Sequence, residues 1–161
     1  VIIANNGTNV LTGTSQADTL VGNAGNDTLR GGFGNDTYQV DWGHGQDKIS
    51  ELDITPGNSD RLLYGATIDP LDLVLSRQAN DLRIALHGTA DYVTIENWYS
   101  DPTAAQVETI QAGNGEVLLS TQVDQLIQAM ASFTEQTGLT WDQAIDQRPQ
   151  DVQTVLAASW Q

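Results

Sequence analysis

Acidic side chains recur at a fixed spacing in the N-terminal third of the chain. Residues 4–12, 13–21, 22–30, 31–39 and, after a two-residue insertion, 42–50 align as nine-residue units, with glycine favoured at positions one, two and four. An acid is favoured at position six and a large apolar residue at position eight. Position six holds Asn9, Asp18, Asp27, Asp36 and Asp47, and position eight holds Leu11, Leu20, Leu29, Tyr38 and Ile49. Carboxylates repeated in this way could share cations if the units stack.

The polar–apolar–polar pattern of positions seven to nine predicts a three-residue strand with its middle side chain facing inward. A single unit buries little surface, so the units are expected to stack as a solenoid with successive strands on opposite sheets. Turns on one side then recur every 18 residues. This spacing predicts Asp18 beside Asp36 and Asn9 beside Asp27. The insertion, Val40 and Asp41, places Asp47 beside Asp27.

Stacked carboxylates repel each other unless a cation lies between them. The glycine-rich turns also present backbone carbonyls that have no partner in a strand ladder. A site made of carboxylate and carbonyl oxygens suits a hard cation, and its flexible geometry favours calcium over magnesium. We expect four carbonyls and two acid-position side chains per ion. The alternative is a metal-free solenoid in which aspartate only shapes Asx-turns.

The amino-acid composition excludes several classes of function. The 161 residues include 21 Asp or Glu and six Lys or Arg, which gives a net charge of -15, and there is no cysteine. Such a charge disfavours nucleic acid as a partner, and the lack of cysteine excludes disulfides and thiolate metal sites. Enzymatic motifs are absent, so no enzyme activity is expected. Glu96 and Glu108 are interpreted as solvated strand carboxylates rather than a catalytic pair.

The two histidines and four tryptophans are expected to have structural rather than functional roles. His44 and His87 are expected to be structural rather than ligating or catalytic side chains. The tryptophans are expected to be core or cap anchors rather than a sugar-binding platform; they are Trp42, Trp98, Trp141 and Trp160.

The units GNAGNDTLR and GGFGNDTYQ resemble the nonapeptide repeats of RTX (repeats-in-toxin) proteins, which Gram-negative bacteria export through type I secretion. Segments such as NDTYQVDWGHGQDKISE, ANDLRIALHGTADYVTIENWY and VLAASWQ are similar to the last repeat block and cap of RTX toxins of the adenylate cyclase type. The resemblance implies a mostly β fold, a parallel β-roll with calcium ions in its turns. It also implies a secreted, extracellular protein that passes unfolded through the secretion apparatus.

The family pattern implies that positions two, four and six of one unit share an ion with positions one, three and six of the unit two later. The first site would take Asn5, Gly7, Asn9, Gly22, Ala24 and Asp27. The second would take Thr14, Gln16, Asp18, Gly31, Phe33 and Asp36. The third would take Asn23, Gly25, Asp27, Trp42, His44 and Asp47. A degenerate fourth site would join Gly32, Gly34 and Asp36 to Thr55, Gly57 and Asp60. Residues outside position six would act through their carbonyls, and the neutral Asn9 should weaken the first site.

The pattern changes after residue 60. Alternating segments at 73–77, 82–86, 92–98, 107–111 and 116–119 predict antiparallel strands that cap the open end of the roll. Ser120 and Thr140 are candidate helix starts, and a last helix is expected to carry Val152 and Leu156. We therefore expect a β-roll over 1–60, an antiparallel cap over 61–119 and a helical region over 120–161.

The first unit is preceded by Ile2 at an apolar position, so the roll is expected to be the tail of a longer array in a larger exoprotein. The apolar stripe of the last region has two interpretations, core packing and an uncleaved export signal. The leading functional hypothesis is a module that folds on binding calcium, about three ions and a fourth at the degenerate site. The rivals are an adhesive or receptor-facing binding module and a fragment of an enzyme.

Overall fold

The computed structural model describes residues 1–161, and each nine-residue unit ends in a short strand. These strands are β1 (Ile2–Ile3), β2 (Val10–Thr12), β3 (Thr19–Val21), β4 (Thr28–Arg30), β5 (Thr37–Val40), β6 (Gln46–Ile49) and β7 (Arg61–Tyr64). The position-eight side chains are buried as the alternation predicts; Leu20, Leu29, Tyr38 and Ile49 are fully inaccessible and Leu11 is 5% exposed. Each turn of the solenoid thus contributes one large side chain to the interior.

Successive strands alternate between two parallel sheets, which confirms the predicted solenoid. One sheet has the order β1-β3-β5-β7 and the other β2-β4-β6. Leu20 pairs with Tyr38 across 18 residues, whereas Leu29 pairs with Ile49 across 20 because of the insertion. The next pair, Tyr38 with Leu62, spans 24 residues, since residues 50–60 form a longer connection.

Five more strands continue both sheets without a break. They are β8 (Leu73–Gln78), β9 (Asp81–Leu86), β10 (Tyr92–Ile95), β11 (Thr109–Gln111) and β12 (Val117–Leu119). The pairs β8–β9, β9–β10 and β11–β12 are antiparallel, whereas β10 pairs in parallel with β6 and β11 pairs in parallel with β7. The segment 61–119 is therefore not antiparallel throughout, because β7, β10 and β11 continue the direction of the roll strands.

Three helices cover the end of the sheets: α1 (Val123–Thr137), α2 (Trp141–Gln147) and α3 (Pro149–Ala157). Gly138, with a φ of 72°, ends α1, and the Thr140 hydroxyl accepts the Gln143 N–H to begin α2. Trp141 packs edge-to-face on Phe133 with 5.7 Å between ring centroids. A single core of 30 buried side chains runs from Leu11 to Trp160, so the helices and both sheets share one interior.

Two backbone hydrogen bonds join Gln161 to Val117, so the last residue lies against strand β12. None of the helices has the length and apolar character that crossing a membrane would require.

Candidate metal centres

Two ladders of acidic side chains run along the sides of the roll. The first ladder consists of Asn9, Asp27 and Asp47, and the second of Asp18, Asp36, Asp60 and Glu108. In the first, Asn9 N–H donates to Asp27 Oδ1 at 2.7 Å and Asp27 N–H donates to Asp47 Oδ1 at 2.9 Å. These contacts confirm the predicted stacking of Asn9, Asp27 and Asp47.

The second ladder repeats this geometry and is longer. Asp18 N–H donates to Asp36 Oδ1 and Asp36 N–H to Asp60 Oδ1, each at 2.8 Å. Asp60 N–H then donates to Glu108 Oε2 at 2.7 Å. The interpretation of Glu108 as a solvated strand carboxylate is therefore wrong: it is half-buried and occupies the last rung.

Each acidic residue of a ladder forms one rung, and in two central rungs the second carboxylate oxygen has no partner. Asp27 Oδ2 and Asp36 Oδ2 are buried and accept no hydrogen bond, and each residue is only 1% exposed. An unpaired buried carboxylate is strongly unfavourable. Burial raises the pKa of Asp27, and burial together with the neighbouring carboxylates raises the pKa of Asp36 to about 6. These oxygens are suitably placed to bind a cation.

No Lys or Arg forms an ion pair with the ladders. The only ion pair that involves a Lys or Arg joins Arg148 to Asp151 in the helical region. Arg77 and Arg83 lie instead over the rings of Tyr99 and Tyr92 in the cap strands. The buried negative charge of the roll therefore requires protons or bound cations for its compensation.

The turns stack closely enough for the carbonyls of one turn to face the next. Gly25 has a φ of 123°, and a Cβ at this position would lie 2.5 Å from Gly7 O. Gly32, with a φ of 97°, stacks in the same way on Thr14 O. A side chain at either glycine would fill the space beside a carbonyl that the sequence pattern assigns as a ligand.

At the first predicted site, a neutral amide occupies the acid position. With its nitrogen facing the acceptors, Asn9 donates to Gly7 O and to Asn5 Oδ1, each at 2.9 Å. The amide therefore satisfies oxygens that a cation would otherwise need to bind. Gly22 and Ala24 lie in the facing turn, where a Cβ on Gly22 would lie 2.7 Å from the free Asp27 Oδ2. The geometry agrees with a weaker site.

At the second predicted site, one carboxylate is partly satisfied by its own turn. Asp18 Oδ2 accepts the Thr14 N–H at 2.6 Å and the Thr14 hydroxyl at 2.8 Å, which lowers the pKa of Asp18. The facing Asp36 Oδ2 lies beside Gly31. Gln16 stacks on Gly34 in the facing turn. The Phe33 side chain is 54% exposed and is not a metal ligand, so Phe33 could contribute only its backbone carbonyl.

At the third predicted site, a histidine competes for one carboxylate. His44 Nδ1 lies 2.8 Å from Asp47 Oδ2 in a buried pair, and His44 Nε2 has no partner. Asn23, whose φ is 62°, supplies a left-handed turn position where the pattern favours glycine. Trp42 is 43% exposed and donates to Thr67 Oγ1, so the prediction that it anchors the core is wrong. Trp98, Trp141 and Trp160 are buried as predicted.

The fourth predicted site differs most from the nonapeptide pattern. Asp36 and Asp60 are adjacent rungs, but Thr55 O accepts the Asn58 N–H in a local turn. Gly57 has a φ of 82° in that turn, and Gly34 N–H donates to Asp53 Oδ2 at 2.9 Å. The connection 50–60 therefore brings new acidic side chains to this end of the roll.

Three acidic residues at the sites fall outside the sequence prediction: Glu51, Asp53 and Glu108. Glu51 and Asp53 are 1% and 4% exposed. Burial and the nearby Asp60 and Asp36 raise the pKa of Glu51 to about 8, although a hydrogen bond from Tyr38 opposes the shift. Glu108 had a signal in the sequence, because TAAQVETIQ (103–111) places it at position six and Ile110 at position eight.

Comparison with protein families agrees with this geometry. Residues 3–38 match the model of the RTX calcium-binding nonapeptide repeat, with four copies. Residues 81–122, which span β9 to β12, match the haemolysin-type calcium binding protein related domain. The β-roll, its acidic ladders and the two family matches together support a calcium-binding repeat protein of the RTX type. Both matched families are calcium-binding domains rather than enzyme families.

Proposed function

We propose that this chain is a calcium-dependent folding module of a secreted RTX protein. The observation that carries the proposal is the pair of buried, unpartnered oxygens, Asp27 Oδ2 and Asp36 Oδ2, at the centre of two ladders that no Lys or Arg neutralises. The proposed ions lie between stacked turns at the three sites set out above. The first is the weakest because Asn9 carries no charge.

The ladders link ion binding to folding. Without a cation, the folded roll holds like charges together in a poorly solvated environment, and the unfolded chain separates them. When bound, calcium supplies positive charge and accepts ligands in a flexible all-oxygen shell. Because the unfolded chain lacks a preformed site, each site stabilises the fold by about 2.7 kcal/mol when free calcium is 100 times Kd.

This coupling suits a chain that is exported before it folds. Extracellular calcium modules typically bind at about 10⁻⁴ to 10⁻³ M calcium, so they stay empty in a cytosol that holds far less. We infer that the chain passes the type I apparatus unfolded and folds outside the cell. The proposed boundaries are a roll over 1–60, a cap over 61–119 and a helical region over 120–161 that carries the export signal.

The cap is proposed to nucleate folding of the roll. It offers strand β10 as a parallel partner for β6 and strand β11 as a parallel partner for β7. At the opposite end, β1 and β2 are edge strands, and the exposed Ile3 and Val10 suit further roll turns of a larger exoprotein.

The test is a calcium titration of the full chain followed by circular dichroism. The expected result is a disordered spectrum in chelator and a cooperative gain of β signal near millimolar calcium. Magnesium at the same concentrations serves as the control and is expected to have little effect. Identical spectra with and without calcium, or an equal response to magnesium, would contradict the proposal.

A second candidate function is an adhesive or receptor-facing module. The observation in its favour is a surface cavity of about 550 Å³ lined by the exposed Trp42 together with Val21, Leu63 and Tyr64. Glycan-array and cell-binding measurements on the calcium-loaded chain test this function, with Trp42→Ala as the matched variant. Binding that Trp42→Ala abolishes while the β signal is retained would support it.

A further inference from the structure

In the segment 51–54 the acidic side chains face the interior and the aliphatic side chains face the solvent. Glu51 and Asp53 are 1% and 4% exposed, whereas the alternating Leu52 and Ile54 are 66% and 71% exposed. Burying carboxylates while exposing aliphatic side chains is unfavourable on both counts, unless the carboxylates gain a partner that the aliphatic side chains cannot provide. The orientation therefore indicates that the carboxylates have a favourable partner in the interior at this point.

Glu51 is held in a defined position. Its Oε2 accepts the Tyr38 hydroxyl at 2.5 Å, and its Oε1 accepts the Leu52 N–H at 3.1 Å. Tyr38 is itself fixed, because it lies in the core and its oxygen accepts the Gly31 N–H at 2.9 Å. Each Glu51 oxygen therefore keeps lone-pair capacity for a further partner.

Two ladder carboxylates meet Glu51 in the interior. One oxygen from each of Asp36, Glu51 and Asp60 lies within 4.8 Å of the other two. Oxygens that bind one calcium ion at about 2.3–2.6 Å can be at most roughly 5.2 Å apart, so the three oxygens can reach a single ion. All three residues are at most 1% exposed.

A separate observation points to a missing ligand. Asp36 Oδ2 is buried and has no hydrogen-bond partner. It lies beside Gly31 on the side where the Tyr38 hydroxyl binds Glu51, since a Cβ built on Gly31 would touch both Asp36 Oδ2 and the Tyr38 oxygen. The unpartnered atom thus lies near the Tyr38 hydroxyl that binds Glu51. No Lys or Arg pairs with any of the three carboxylates.

We propose that Asp36, Glu51 and Asp60 bind one calcium ion through three side-chain carboxylates, with Tyr38 positioning Glu51. This inference rests on the proposed function and changes the ligand set of the fourth site. Glu51, which no nonapeptide position supplies, adds a side-chain carboxylate to Asp36 and Asp60 at this site. The ion would fasten the connection 50–60 to strand β5.

The experiment measures the number of calcium ions bound per full-length chain by isothermal titration calorimetry and equilibrium dialysis. Glu51→Gln keeps the shape of the side chain and removes its charge, and Glu135→Gln, on an exposed part of α1, is the matched control. We expect Glu51→Gln to bind one ion fewer than the unaltered chain and Glu135→Gln to bind the full number. An unchanged ion count and unchanged affinities in Glu51→Gln would overturn the inference.

Two more variants keep the inference testable if Glu51→Gln does not reach the calcium-loaded spectrum. Glu51→Asp keeps the charge but shortens the reach, and it should weaken the affinity for one ion alone. Tyr38→Phe keeps all three carboxylates and should weaken the same ion by about tenfold or more, as loss of an outer-shell partner does. Unchanged affinities in both variants would overturn the inference.

The outcome for the proposed function is separate. If the unaltered chain binds no calcium, the proposed function fails and this inference fails with it. If the unaltered chain folds on calcium and Glu51→Gln retains every ion, only the inference fails.

Discussion

Residues 1–60 and residues 61–161 build the same two sheets, yet residues 1–60 supply only six of the 30 core side chains. Residues 1–60 also hold all six buried acids: Asp27, Asp36, Asp47, Glu51, Asp53 and Asp60. The cap and helices instead bury large aliphatic and aromatic side chains such as Trp98, Leu126 and Trp160. One continuous fold therefore combines a region rich in buried carboxylates, for which we propose stabilisation by calcium, with a region stabilised by hydrophobic burial.

The largest expected effect comes from Asp36→Asn, because Asp36 belongs to two proposed sites. At calcium 100 times Kd, loss of two ions should lower the free energy of unfolding by about 5 kcal/mol. In chelator the substitution should instead raise the free energy of unfolding, because it removes a buried charge that has no partner. Chemical denaturation with and without calcium measures both values. Glu135→Gln, on the exposed surface of α1, is the control. Equal effects of Asp36→Asn in the two conditions would remove the proposed contrast.

A cap substitution of comparable size should act through burial rather than ion binding. Leu126 is fully buried, and Leu126→Ala is expected to lower the free energy of unfolding by about 3 kcal/mol through lost burial and a cavity. The number of calcium ions bound by the folded chain should not change. Denaturation at saturating calcium and a calorimetric ion count provide the two readouts. A lost ion would show that the two regions are not stabilised separately.

A smaller effect should separate turn geometry from ion binding. Gly25→Ala puts a side chain at a φ of 123° and against Gly7 O, so it should destabilise the loaded roll by about 2 kcal/mol and raise the calcium midpoint. Gly115→Ala in the β11–β12 turn is the matched control, with a φ of 91° and open space around the glycine. It should cost stability without moving the ion affinities. Because any loss of stability raises the midpoint of coupled folding, the affinities are compared for the folded chain by calorimetry, and an equal loss of affinity in both variants would contradict the assignment.

The smallest expected effect is a pH dependence in the helical region. His87 Nδ1 and Nε2 lie 2.7 and 2.8 Å from Asp142 and Asp146 of α2. Burial lowers the pKa of His87, but the hydrogen bonds to Asp146 and Asp142 outweigh it, so the pKa is raised. Protonated His87 therefore stabilises the fold below its unfolded pKa of about 6.5, and this contribution is lost as the pH rises through the folded pKa.

The free energy of unfolding should thus differ more between the unaltered chain and His87→Gln at about pH 5.5 than at about pH 8.5. Both aspartates are largely exposed, so the change should be under about 1 kcal/mol. Taking the difference between the two proteins cancels the titration of the ladder acids. A difference that is independent of pH would show that the pairs do not hold α2 in place.

The sequence allowed the roll to be predicted because its period is regular. Leu20 and Asp36, for example, have fixed positions in a nine-residue template. The position of a residue in the template therefore predicts whether it lies in a strand, whether its side chain faces inward and which residue it stacks on. The hairpins and helices followed from alternation and capping. The parallel pairing of β10 and β11 was not predicted, because the direction of a strand depends on the path of the chain between strands and not on its own residues.

The connection 50–60 was the least predictable part of the candidate site. Glu51 and Asp53 alternate with Leu52 and Ile54, and such an alternation normally places the aliphatic side chains inside. Here the hydrogen bonds from the Tyr38 hydroxyl to Glu51 and from the Gly34 N–H to Asp53 hold the two acids on the inner side. Those contacts join residues far apart in sequence, so no local pattern shows them.

Every rung of the ladders has a direction. The carboxylate always comes from the C-terminal member of the pair and the N–H from the N-terminal member, as in Asp60 to Asp36 and Asp36 to Asp18. The backbone carbonyls of the same residues accept in the opposite direction, because Asp18 O accepts the Thr37 N–H and Asp36 O accepts the Arg61 N–H. Each turn is therefore held by its side-chain carboxylate on one side and by its backbone carbonyl on the other, so the loss of one ladder residue should disturb the turns both before and after it.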